Sequence, residues 1–184
     1  EGFRAMNNRQ KDDWYPTPSS ATKALLAVEV FDPYIWEPAA GDGALAEVLK
    51  ADDYGVIASD LNDYGYCESG IDFLMATDLA CDSLITNPPY KLAEEFILHA
   101  ITLGAAKHAW LLRLSFLESL GRFQRLFKAH PPARIHVFSK RLTIWRGDFV
   151  NAASNEPIPG TGTTAYAWFV WEKDYSGSPQ LGWL

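Results

Sequence analysis

The chain has 184 residues, 48% of them hydrophobic, a length that buries one core well and two poorly. Its formal net charge of −7 argues against a protein that merely coats nucleic acid, and no apolar run reaches the roughly 18 residues of a membrane span. Two cysteines, Cys67 and Cys81, stand without a CxxC and away from any histidine cluster, which argues against a zinc or other metal site and for a reduced, cytoplasmic setting; pairing of the two stays open.

The charge is unevenly spread. Residues 1–106 carry six Lys and Arg against 18 Asp and Glu, residues 107–147 carry nine against the single acid Glu118, and residues 148–184 carry one against four. A basic middle between acidic ends reads either as a face that meets an anion or as solvated cations on scattered surfaces. Met6 is read as the native start, with Glu1–Ala5 an extraneous leader and residues 6–184 a single domain.

The first strand expected is Tyr34-Ile35-Trp36, running through Glu37 into Pro38-Ala39-Ala40-Gly41-Asp42-Gly43, a Gly-rich turn. A helix over Ala44–Leu49 follows and stops before Gly55. Glycine lets a ligand approach the backbone, and Glu37 at the strand tip accepts hydrogen bonds from a cationic or hydroxylated group. The turn lacks a full GxGxxG, and no Lys or Arg stands near it to meet a diphosphate. Walls of Glu37 and Asp42 suit a positively charged ligand; a plain structural turn is the competing reading.

Val56–Asp60 is a second strand, ending on a carboxylate that can take both hydroxyls of a ribose, being bidentate and acceptor-only. Further on, Asp72-Phe73 offers an acceptor for the amino edge of an adenine and a flat face for its ring, although Asp72 serves equally well as a cap. The three strand ends together describe an adenosine-containing ligand with a cationic part. S-adenosylmethionine has that composition.

Ser83–Thr86 is a third strand, and its exit is Asn87-Pro88-Pro89-Tyr90. The prolines fix φ and donate no backbone hydrogen bond, so the exit is rigid and its carbonyls stay free to accept. The Asn87 side-chain oxygen and the Pro88 carbonyl are two acceptors for the two hydrogens of an exocyclic amine. Held so, the nitrogen turns toward a tetrahedral, more nucleophilic form. Tyr90 would stack on the base, a contact worth about 1–3 kcal/mol; a purely structural strand-exit turn is the competing reading.

Leu92–Leu103 puts Leu92, Phe96, Ala100 and Leu103 on one helical face, with Gly104 as its stop. Ala109–Leu114 is apolar enough for a central strand, and Arg113 inside it places that strand's end near a site. A helix over Leu117–Ala129 carries Arg122, Arg125 and Lys128 at helical spacing and ends at Pro131-Pro132. Arg134–Phe138 is a strand, followed by Lys140, Arg141, Trp145 and Arg146; a long connection from Arg146 to Thr164 leads to the aromatic strand Ala165–Trp171. The basic side chains read as phosphate contacts beside an extruded base, with Trp145 stacking or wedging, or else as a solvated face over a core tryptophan. His99, His108, His130 and His136 have no metal or acid–base spacing. Strands alternating with helices imply an α/β fold, a mostly parallel Rossmann-like sheet covered on both faces.

Glu-Pro-Ala-Ala-Gly-Asp-Gly at 37–43, Asp60, Asp72-Phe73 and Asn-Pro-Pro-Tyr at 87–90 follow one another in an order that resembles the S-adenosylmethionine-dependent amino-methyltransferases. The likeness is greatest to small phage and bacterial DNA adenine-N6 methyltransferases. Trp14-Tyr15-Pro16-Thr17-Pro18 is similar to their Tyr-x-Thr-Pro segment, which implies a place for Tyr15 and Thr17 at the methionine end of the cofactor. The resemblance implies a seven-stranded class I methyltransferase sheet with its last strand antiparallel, and a bacterial or phage-infected cell as the setting.

It also implies methyl transfer to adenine N6 in DNA, with Glu37, Ala39, Gly41, Asp42, Gly43, Asp60, Asp72, Phe73 and Asn87 holding the cofactor and Asn87, Pro88, Pro89 and Tyr90 holding the base. The family's C-terminal target-recognition domain has no counterpart after Trp171, so recognition falls to the Arg146–Thr164 loop, the basic middle, or a partner or second copy. Other readings keep the clamp and change the amine to that of RNA guanine, cytosine N4 or a protein glutamine. A further one makes the chain a non-catalytic cofactor- or nucleic-acid-binding module. The basic middle favours nucleic acid, with DNA ahead of RNA.

Overall fold

In the computed structural model, which describes residues 15–144 and 164–184, the chain opens with helix α1 (Ser19–Leu26), strand β1 (Tyr34–Glu37), helix α2 (Ala44–Ala51) and strand β2 (Gly55–Ala58). Then follow β3 (Ser83–Thr86), α3 (Ala93–Leu103), β4 (Lys107–Arg113) and the short α4 (Leu120–Arg122). The chain closes with β5 (Arg134–Val137), β6 (Tyr166–Glu172) and β7 (Gln180–Trp183). All seven strands join one sheet in the order β2-β1-β3-β4-β6-β5-β7. Among the described residues no helix is long and apolar enough to cross a membrane.

Neighbours among β1 to β4 are parallel, so Glu37, Ala58, Thr86 and Arg113 end at one edge of the sheet. Ligands of open parallel sheets sit outside that edge. β6 is antiparallel to both β4 and β5, whereas β7 runs parallel to β5. The antiparallel strand is therefore next to last, not last as the resemblance implied: the segment after Trp171 turns back once more and pairs with β5 as an edge strand.

Alternation along the strands sorts the core into two layers. Ile35, Ile85, Ala109 and Leu111 pack with Leu25 of α1 and Leu45 and Leu49 of α2. Their neighbours Trp36, Leu84, Trp110 and Leu112 point to the other face, against Phe96, Ile97 and Ala100 of α3. The indole of Trp168, fully buried, donates to the Ala21 carbonyl at 2.9 Å and pins α1 to β6. Gly104 closes α3 at φ +85°, the left-handed stop its position predicted.

The expected helix over Leu117–Ala129 is broken. A 3-10 turn spans Leu114–Leu117, α4 starts only at Leu120 with the Ser119 hydroxyl accepting from Arg122 N–H, and Phe123–Phe127 winds as a π-turn. The Lys128 N–H reaches back five residues to the Phe123 carbonyl at 2.9 Å. Arg122, Arg125 and Lys128 thus do not form an α-helical stripe.

Far from the site edge, Glu29 is buried at 4% exposure after α1. Its carboxylate accepts from Lys107 at 2.6 Å, lies 2.7 Å from His136 Nε2 and takes both arms of Arg134, which also reaches Glu172. Burial pushes this carboxyl up, but hydrogen bonds from His136, Arg134 and Lys107 outweigh it and hold the pKa at about 2.

Candidate active site

Three strand exits converge on one cavity of about 420 Å³. From β1 come Glu37, Ala39, Gly41 and Asp42; after β2 comes Asp60, and before α3 come Asn87, Pro88 and Pro89. Tyr15 and Thr17 close one wall, and Asp72 and Phe73 another. Gly43 and Tyr90 do not line it.

The backbone of these exits is tied together before any ligand arrives. Glu37 C=O accepts from Ser59 N–H at 3.0 Å and Ser59 C=O accepts from Ala40 N–H at 3.1 Å. Asp60 accepts Gly41 N–H on one carboxylate oxygen at 2.9 Å and Asn62 N–H on the other at 2.8 Å. Each oxygen has two acceptor directions, so both keep one for a hydroxyl. Asp72 caps the 3-10 turn Phe73–Met75 through Leu74 N–H at 2.9 Å and is also a lining residue of the cavity. Phe73 is 1% exposed and packs on Trp36 and Phe96 at 5.2 and 4.9 Å between ring centroids.

Gly41 and Gly43 both lie in the left-handed region, φ +56° and +83°. A Cβ on Gly43 would sit 2.3 Å from the Tyr66 ring. Tyr66 in turn donates to Glu47 at 2.6 Å and accepts from Lys50 at 2.8 Å, which fastens the loop after Asp60 onto α2. That loop supplies Leu61, Asn62, Tyr64 and Ile71 to the cavity, lining residues without a motif of their own.

Glu37 is 2% exposed, and one of its carboxylate oxygens has no hydrogen-bond partner among the described residues. Burial drives its pKa well above the usual carboxylate range; a bond from the Ala46 backbone opposes this, and the charges of Asp42 and Asp60 add to it. Asp42, Asp60 and Asp72 join Glu37 in an acidic lining of the cavity. Lys91, just past the clamp, is the one cation among the lining residues, and its position depends on the 3-10 turn Tyr90–Leu92.

Asn87 donates its side-chain N–H to the Tyr15 carbonyl at 3.0 Å. Since a carbonyl only accepts, this orients the amide, and the Asn87 side-chain oxygen is left buried without a donor among the described residues. Tyr90 packs between the rings of Tyr15 and Tyr166 at 5.6 and 6.1 Å, with the Arg113 guanidinium 4.7 Å from its own ring. Burial pushes the Tyr90 phenol upward.

The basic residues divide. Arg125 pairs with Glu94 in the first turn of α3 at 2.6 and 2.9 Å, and Arg122 lies 3.7 Å from the same carboxylate while donating to the Phe116 carbonyl. Lys128, Lys140 and Arg141 are exposed. Trp14, Trp145, Arg146 and residues 147–163 of the long connection lie outside the described residues. Cys67 and Cys81 are both free thiols, and among the described residues no three His, Cys, Asp or Glu side chains gather to hold a metal ion.

No family model matches the sequence, and no curated protein does. Solved structures do match in fold. A chain described as a modification subunit of a putative type I restriction enzyme from Vibrio vulnificus YJ016 superposes with TM-score 0.56 at 12% identity, covering 93% of this chain and 46% of that one. An S-adenosylmethionine-dependent O-methyltransferase from Thermotoga maritima gives 0.51 at 18% identity, over 94% and 71% of the two chains. A dimethyladenosine transferase from Plasmodium falciparum gives 0.54 at 16% identity, over 88% and 63%. This chain therefore spans less than half of the restriction subunit. Its architecture is the Rossmann-like methyltransferase fold.

Proposed function

We propose that this protein is an S-adenosylmethionine-dependent methyltransferase acting on an exocyclic amine, that of adenine N6 in DNA. One observation carries the reading: the amide of Asn87 is oriented by Tyr15, and its buried oxygen waits for a donor beside the cavity that Glu37 and Asp60 also line. A buried acceptor without a donor costs about 1–3 kcal/mol, a cost that an amine N–H removes on arrival.

The residues fit the cofactor. Four acidic side chains suit a ligand whose sulfonium and ammonium are both positive, and the unpaired oxygen of Glu37 can accept from its ammonium. Asp60 keeps an acceptor direction on each oxygen for ribose hydroxyls, while Asp72 and Phe73 wall the adenine end. Tyr15 and Thr17, which also line the cavity, are assigned to the methionine end. When bound, S-adenosylmethionine supplies an electrophilic methyl: the amine nitrogen bonds to that carbon as the carbon–sulfur bond breaks, leaving a neutral thioether.

The clamp needs no strong base, because the nitrogen already holds the lone pair it uses and sheds its proton to water afterwards. Asn87 and the Pro88 carbonyl take the two amine hydrogens, and the rigid Pro88-Pro89 exit keeps both acceptors in place. The neighbouring folds include a modification subunit of a putative type I restriction enzyme and a dimethyladenosine transferase, which supports a nucleic-acid amine as substrate. Lys128, Lys140 and Arg141, with Trp145 and Arg146, are assigned to the phosphates and bases around it.

Incubation with methyl-labelled cofactor and separate DNA, RNA and protein pools tests the assignment. Label in DNA, released on digestion as N6-methyladenine, is the expected result. Label confined to protein overturns it, and label confined to RNA moves the substrate to the second choice.

A further inference from the structure

Tyr90 ends the clamp, and an arginine lies on its ring. The guanidinium carbon of Arg113 stands 4.7 Å from the ring centroid. Arg113 is the last residue of β4, at the sheet edge where β1 and β3 deliver Glu37 and Asn87, and it faces Tyr166 across the β4–β6 ladder. The rings of Tyr15 and Tyr166, tilted 42° and 40°, pack beside Tyr90. The cover on the phenol ring is therefore a cation that is itself exposed.

Arg113 is also unlike the arginines around it. Arg122 and Arg125 lie against Glu94, and Arg134 binds Glu29 and Glu172. No ion pair among the described residues includes Arg113. A planar guanidinium stacks on an aromatic ring through the attraction of the cation to the π-face, and it binds phosphate through paired N–H donors. At 4.7 Å from the ring there is no room for a third plane between the two. A base that stacks on this face of Tyr90 must displace Arg113.

We propose that Arg113 occupies, in the free protein, the place on Tyr90 that the extruded base takes, and that it moves on binding to a phosphate beside that nucleotide. The inference rests on reading the clamp as a nucleic-acid amine site and adds to it the residue that couples base entry to backbone binding. The coupling answers a physical difficulty: a cavity lined by acidic side chains repels phosphates, and Arg113, outside any ion pair among the described residues, adds to Lys91 on the cavity wall a cation that draws a polyanion to the clamp.

The test uses the full chain saturated with S-adenosylhomocysteine, which fills the cofactor's own adenosine site, and two probes. One is a fluorescein-labelled oligo(dA), single-stranded and paired with oligo(dT), titrated at salt concentrations from about 50 to about 200 mM. The other is adenosine, which has the base and no phosphate. In Arg113→Ala the slope of log affinity against log salt should flatten by roughly 0.7 on the single strand and 0.9 on the duplex, the change expected when one phosphate is no longer neutralised. Adenosine should bind that variant several-fold more tightly, because its place on Tyr90 is open. Arg113→Lys should keep the wild-type slope.

A wild-type slope in Arg113→Ala, or weaker adenosine binding, overturns the proposal. If the wild type binds neither oligonucleotide form, the nucleic-acid substrate falls and this inference with it. If the wild type binds and methylates DNA while Arg113→Ala keeps its slope, this inference falls alone. An arginine that merely supported Tyr90 would alter both probes together and leave the slope unchanged.

Discussion

The side-chain amide of Asn87 donates to the main-chain carbonyl of Tyr15 across 72 residues of sequence. One bond thus joins the residue just after β3 to the segment preceding α1, and it decides which way the amide oxygen faces. Asn87→Ala removes both the acceptor and the tie. Turnover should fall by at least about 100-fold, in the range seen when one charge- or dipole-stabilising donor or acceptor leaves an active site. Cofactor affinity should fall only about five-fold, the worth of roughly 1 kcal/mol for one hydrogen bond. Single-turnover methylation beside calorimetric titration separates the two, and a variant with normal turnover contradicts the clamp.

Glu37 carries a pH dependence whose sign follows from its raised pKa. Below the ordinary carboxylate value the group is protonated in folded and unfolded chains alike and contributes nothing. As pH rises above that value the unfolded chain releases its proton first, so folding loses stability until the buried carboxyl ionises too. Glu37→Gln should therefore raise the melting temperature of the free protein at about pH 8 and leave it unchanged near pH 4. A cationic ligand favours the ionised form, so wild-type affinity for S-adenosylmethionine should climb between these pH values while that of Glu37→Gln stays flat and low. Melting curves and titrations across the range check both parts.

Much of the site was legible because its polar residues stand where apolar strands end. Glu37 follows Tyr34-Ile35-Trp36, Asp60 follows Val56–Ser59 and Asn87 follows Ser83–Thr86, and a parallel sheet brings those exits to one edge. What stayed hidden depended on partners remote in sequence. β7 is Gln180-Leu181-Gly182-Trp183, too short and too mixed to announce itself. It exists by pairing with β5, where a Cβ on Gly182 would sit 2.9 Å from His136. Helix α1 buries only Ala21, Thr22 and Leu25, a weak periodic signal. The Arg125–Glu94 pair spans 31 residues, and the π-turn after Arg122 upset a spacing argument that assumed an α-helix. Tyr90 read as a free face because nothing near it in sequence announces Arg113, although the position of Arg113 at a strand end did mark it.

Gly43 tests whether the cavity's loop is held by backbone shape. Its φ of +83° disfavours any side chain, and a Cβ there would meet the Tyr66 ring at 2.3 Å. The ring cannot yield freely, since Glu47 and Lys50 hold its hydroxyl. Gly43→Ala should cost about 1–3 kcal/mol of stability and displace the loop that brings Asn62 and Tyr64 to the cavity. Double substitution with Tyr66→Ala removes the clash but not the strained φ, so it should recover part of the loss. Urea unfolding of the single and double variants measures both effects.

Glu29 offers a stability prediction remote from the chemistry. Its side chain is 3% exposed, and three basic groups, from Lys107, Arg134 and His136, converge on it from β4 and β5. Glu29→Gln leaves those groups without their shared anion, and breaking a buried ion pair from one side costs about 3 kcal/mol or more. The pH dependence runs opposite to that of Glu37. With a folded pKa of about 2 against an ordinary 4.5, the ionised carboxylate stabilises the fold fully above the higher value and loses that contribution as pH falls through the lower one. The gap in unfolding free energy between wild type and Glu29→Gln should be widest near pH 7 and shrink steadily from pH 4.5 toward pH 2. A gap that stays constant over this range would mean that packing, not charge, sets the value of this cluster.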